Sequence, residues 1–148
     1  MAGKRNGRRA GLATLLIIAG MGGFGAAQAA ESYRVRLTTV PIEARTSADV
    51  KGSGTATAVL DGTRLTITGT FGGLQSAATH GAVHESPVRA VRGPSIAEFA
   101  VPSAQSGTFS AALDLTPQQI QSLAQGRLYV QIHSTGAPDG NLWGWLLR

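Results

Sequence analysis

Hydrophobic and polar residues alternate with a period of two along much of this chain. Tyr33, Val35 and Leu37 interleave with Arg34, Arg36 and Thr38, the signature of a half-buried strand. Residues 39–51 carry no period and read as a long loop. Two alternating runs, 55–60 and 63–71, flank Asp61-Gly62. That dipeptide predicts a hairpin closed by a type I′ turn, in which both central residues take positive φ. In the second arm Leu65, Ile67, Gly69 and Phe71 face one way, and Thr66, Thr68 and Thr70 the other. Gly72-Gly73 ends it. Further strands are expected over 96–101, 108–115, 127–133 and 142–147. Leu128, Val130 and Ile132 share one face of the first of the last two. The stretch Gly136-Ala137-Pro138-Asp139-Gly140 reads as the turn between them. In the final strand Leu142, Gly144 and Leu146 lie opposite Trp143 and Trp145.

The period changes once. Thr116 can cap a helix, Pro117 suits its first position, and Gln119 completes a capping box. Ile120 and Leu123 supply the apolar stripe, and Gly126 the stop. A helix of about eight residues does not stand alone, so it must pack onto the strands. The pattern as a whole predicts an all-β fold: an antiparallel β-sandwich, immunoglobulin-like or superoxide-dismutase-like, with one short helix.

The first 29 residues follow another logic. Lys4, Arg5, Arg8 and Arg9 precede an apolar run over 12–24, and Ala27-Gln28-Ala29 follows as an A-x-A cleavage pattern. This is the three-part layout of a secretory signal peptide. The run is short and glycine-broken, whereas a spanning helix needs about 20 mainly apolar residues. Arg8-Arg9 hints at twin-arginine export, although the residues that follow match that pattern poorly. The expected layout is a signal peptide over 1–29 and one domain over 30–148, in the periplasm or outside the cell, with no membrane span in the mature chain.

Charge then reads differently. The chain of 148 residues has 13 basic and 8 acidic side chains, a net of +5. Nine basic and all eight acidic residues lie beyond Ala29, a net of +1. A near-neutral domain with dispersed arginines argues against a nucleic-acid partner. Arg89 and Arg92 read as local salt-bridge formers. The absence of cysteine excludes disulfides, thiolate metal sites and a cysteine nucleophile.

Several motifs together resemble the CHRD domain, a module of secreted proteins first described in chordin. They are the alternating hairpin, Arg92-Gly93-Pro94, the Leu115-Thr116-Pro117-Gln118-Gln119 helix start, and Gly126-Arg127-Leu128-Tyr129-Val130-Gln131-Ile132-His133. The resemblance spans about Tyr33 to Leu147. The family's His-x-His pair, placed shortly before Arg-Gly-Pro, falls here on Ala82 and His84, so its first histidine is missing. His80 stands two residues earlier. The family ending is kept in its glycines and apolar residues but not in its polar ones. The resemblance implies an extracellular binding or structural module rather than an enzyme.

The candidate chemistry rests on His80, His84 and His133, the three histidines of the chain. Imidazole suits copper and zinc, and a three-histidine site is a known form. On an extended strand, however, positions 80 and 84 lie about 13 Å apart, so convergence on one ion needs a bend, for which Gly81 is a candidate. The other reading is structural: imidazoles that hydrogen-bond loops to strand ends. His-x-His on a β-sandwich also resembles the copper strand of Cu/Zn superoxide dismutase, but the further ligands that enzyme needs are missing. Glu85 and Asp139 could orient a ring or stay solvated. Ser86 and Ser134 adjoin histidines, yet neither sits in a nucleophile elbow. Trp143 and Trp145 either form an exposed partner surface or are covered, by a loop or by a one-residue register slip. The expectation is therefore a non-catalytic module without a cofactor, binding an unknown protein or surface ligand through Trp143 and Trp145. The alternative is a copper- or zinc-binding protein using His84, His133 and His80.

Overall fold

A computed structural model describes residues 28–42, 44 and 47–148. Most of the segment 1–29 therefore lies outside the described residues. Eight strands and one helix follow in the order β1 (Glu31–Thr39), β2 (Ser53–Asp61), β3 (Arg64–Gly72), β4 (Ala78–Glu85), β5 (Ser95–Phe99), β6 (Gly107–Asp114), α1 (Pro117–Ala124), β7 (Leu128–Ser134) and β8 (Ala137–Trp145). The strands join in one antiparallel sheet ordered β5-β4-β7-β8-β1-β2-β3-β6. Its two edges, β5 and β6, touch, so the sheet curls nearly into a barrel. The stacked rings of Phe99 and Phe109 (5.3 Å) sit at that closure. The all-β antiparallel class with one short helix is the one the alternation predicts.

The alternating residues decide which face turns inward. Leu37, Leu65, Ile67, Val83, Leu128, Val130, Ile132, Leu142 and Leu146 are fully buried in one core. Each such side chain taken out of water contributes about 1.5–3 kcal/mol. Helix α1 forms as its sequence requires. Gln119 N–H donates to Thr116 Oγ1 (3.2 Å), and Thr116 N–H donates to Gln119 Oε1 (2.9 Å). Its Leu123 packs into the core, and Gly126, at φ +67°, ends it.

Four local expectations are corrected. Asp61 pairs with Arg64, so the β2–β3 turn is Gly62-Thr63. Only Gly62 has positive φ (+59°), which excludes type I′; glycine leading the turn suits type II′. The stretch Gly136–Gly140 is mostly strand: β8 starts at Ala137, and the turn shrinks to Thr135-Gly136. The His80 region, which none of the expected strands covers, is a strand, β4. Its bend is not at Gly81. The register shifts between Ala78 and His80 against β7, and between Val83 and His84 against β5. Gly81 instead makes room, because a Cβ there would lie 2.1 Å from the Phe99 ring.

Candidate functional site: an aromatic face on β4, β7 and β8

The residues that alternate with the core on β4, β7 and β8 form one outer face. Register places His80 beside His133, and His84 beside Tyr129, which in turn faces Trp145. Between these rows, Ala82, Gln131 and Trp143 line up. The rings stack across the strands. His80 lies parallel to His133 at 4.2 Å, and His84 parallel to Tyr129 at 4.8 Å. Tyr129 meets Trp145 at 4.6 Å and Trp143 edge-on at 5.8 Å, and the two indoles meet at 5.8 Å.

The connection between β4 and β5 folds over part of this face. Ser86 Oγ donates to the Val91 carbonyl (2.6 Å) and draws the loop shut. Gly93 is the anchor. Its N–H donates to Tyr129 OH (3.1 Å), and its carbonyl accepts from His84 Nδ1 (2.9 Å). A Cβ at Gly93 would lie 1.9 Å from the Glu85 carbonyl oxygen, so only glycine fits there. Arg92 donates to the Asp139 carbonyl (2.9 Å) and lies over the Trp143 ring at 5.9 Å. Neither Arg89 nor Arg92 belongs to the ion pairs of the described residues, which join Arg64 to Asp114 and Arg148 to Glu31.

Carbonyls, not carboxylates, orient the histidines. His133 Nδ1 donates to Pro138 O (2.8 Å), as His84 Nδ1 donates to Gly93 O. A carbonyl only accepts, so both Nδ1 atoms carry hydrogen and both Nε2 atoms of the neutral rings hold a lone pair. Nε2 of His84 is buried without a hydrogen-bond partner. Burial holds both rings below the ordinary histidine pKa, and the Gly93 and Pro138 carbonyls oppose that shift only in part. Glu85 accepts from Ser122 Oγ instead, and Asp139 offers its backbone oxygen to Arg92 and Gln131. The hydroxyls of Ser86 and Ser134 bond to loop carbonyls and to Asn141 Oδ1, not to a histidine ring.

The three histidines do come together, with His133 in the middle and 6.4 Å from His84 between ring centres. Among the described residues no group of three His, Asp or Glu side chains is placed to hold a metal ion. Both tryptophans are half-buried on the outer face, and Leu142, Gly144 and Leu146 face inward, so of the two registers left open the one-residue slip is excluded. Trp143 also packs on the small cluster of Val40, Val50 and Ala137. Tyr129, the centre of the stack, was not among the expected site residues. The alternation that sends Leu128, Val130 and Ile132 inward is the signal that places it outside.

Comparison with known proteins agrees with this picture. The family model described as the CHRD domain matches residues 33–146. No curated protein and no solved structure matches the chain. The match covers nearly all of β1 and everything from there through the whole of β8, and so includes each element that builds the aromatic face; the chain belongs to the CHRD domain family.

Proposed function

We propose that the protein works outside the cytoplasm as a non-catalytic binding module without a resident cofactor, its ligand meeting the face that carries Trp143 and Trp145. The observation that carries this reading is the pair of half-exposed indoles, fixed edge to edge by Tyr129 and flanked by Arg92. Tryptophan and arginine on a rigid sheet form a surface that binds at little entropic cost. The signal-peptide pattern over 1–29 supports the location. No helix of the described residues is long and apolar enough to cross a membrane, which fits. An immunoglobulin-like or superoxide-dismutase-like sandwich remains the proposed finer description of the fold.

The test is an array of glycans and proteins probed with the full chain and with Trp143→Ala/Trp145→Ala. A ligand held by the parent and lost by a variant of unchanged Tm is the expected result. A parent with no tryptophan-dependent ligand overturns the reading.

The unpartnered Nε2 of His84 favours a second reading, a copper or zinc site. A metal-ligating histidine typically donates its other ring N–H to a carbonyl or carboxylate, as His84 and His133 do to carbonyls here. Calorimetric titration with copper and with zinc tests it. Stoichiometric binding lost in both His84→Ala and His133→Ala supports a site. No binding, with Tm lowered in both variants, makes these rings struts between loop and sheet.

A further inference from the structure

A second surface adjoins the aromatic face at Trp145. An open groove of about 1500 Å³ runs along the seam between β8 and β1 and over β2 and the end of β3. Strand β1 bonds across both ends of that seam, Thr38 to Trp143 in β8 and Arg34 to Leu147 just beyond the end of β8. The same register sets Arg36 opposite Trp145, and no ladder pair forms there. Two rows of exposed polar side chains cross the floor, Arg34–Thr57 and Arg36–Thr55–Thr70. Along β1 the two arginine positions are about 7 Å apart, and neighbouring strands are about 4.8 Å apart. The acidic residues of these strands, Glu31 and Asp61, lie at the far end, with Asp114 of β6 beside them. Among the described residues neither Arg34 nor Arg36 has an ion-pair partner.

We propose that this groove binds a linear, uronate-bearing polysaccharide. The guanidinium groups of Arg34 and Arg36 hold its carboxylates, and Trp145 stacks on a sugar ring. The proposal rests on the binding-module reading and supplies its ligand class. A guanidinium presents a donor fork that matches a carboxylate. A threonine hydroxyl both donates and accepts, as a sugar hydroxyl does, so the Thr55, Thr57 and Thr70 floor meets a polyol without leaving a group unpaired. A flat indole edge to such a floor suits the C–H face of a pyranose. Protein interfaces centre on apolar side chains, and this floor exposes hydroxyls and guanidinium groups instead. A nucleic-acid strand calls for a basic stripe, and two guanidinium groups do not make one.

Affinity electrophoresis of the full chain through gels carrying polygalacturonate, neutral dextran or single-stranded DNA tests this. Polygalacturonate alone should retard the chain. Arg34→Gln/Arg36→Gln should abolish the retardation. Trp145→Ala should weaken it by about tenfold or more. The charge-matched control Arg64→Gln/Arg89→Gln should leave it intact, with Tm unchanged in the groove variants. No retardation, equal retardation by DNA, or equal loss in the control overturns the proposal. If polygalacturonate fails while another ligand depends on Trp143 and Trp145, the uronate class falls and the binding module stands. If no ligand depends on the tryptophans, both fall.

Discussion

At His84 and His133 one ring nitrogen is committed to a backbone carbonyl and the other is not, and burial keeps both rings neutral. The neighbouring charges are Arg92 and His80, which disfavour protonation of His84, and Glu98, which favours it. For His133 the charges are His80, His84 and Glu98. A folded-state pKa below the unfolded value of 6.5 means that the unfolded chain takes up protons first on acidification. The stabilisation from neutral rings is thus fully present above about pH 6.5 and is lost as pH falls from there through the folded-state values. Thermal melts across that range should show a plateau at higher pH and a declining Tm below it. His84→Gln and His133→Gln should each flatten the decline. A Tm independent of pH in this window would refute the sign. The histidines were legible in the sequence as a group. Their partners were not, because Gly93 and Pro138 act through backbone oxygens, which carry no residue-type signal.

Among the elements, α1 was the most legible, since its capping box, proline start and glycine stop are local. Thr116→Ala removes the acceptor for Gln119 N–H and should cost about 1 kcal/mol, read from the urea midpoint at unchanged slope. An unchanged midpoint would show that packing of Leu123 alone holds the helix. Strand β4 was hidden for a physical reason. Gly81 yields its inward position to Phe99, and Ala82 and Val83 are both buried, so alternation disappears where the β4–β5 loop covers the outer face. Similarly, Pro138, Asp139 and Gly140 punctuate like a turn, yet they lie within β8. The carbonyls of Pro138 and Asp139 serve His133, Arg92 and Gln131.

On the scale of the whole molecule, closure of the sheet depends on few contacts, because β5 and β6 meet without a ladder between them. Phe109 is buried there against Phe99. Phe109→Ala should cost about 3–5 kcal/mol in denaturant unfolding, much more than the surface substitutions Arg34→Gln or Arg36→Gln. A loss under about 1 kcal/mol would mean that the curl is maintained without this stack. The side of β8 that carries Trp143 and Trp145 was decided by packing. The sequence by itself determined the all-β class, seven of the eight strands, the apolar faces of β1, β3 and β7, and the helix with its caps. All of these follow from periodicity and turn chemistry, which act within a few residues. Only the tertiary structure decided that β4 joins β7, and hence that His80 stacks on His133 and His84 on Tyr129. Likewise, only the structure decided that β1 and β8 leave a groove between Arg36 and Trp145. Strand order and register come from contacts between segments tens of residues apart, and no local pattern encodes them.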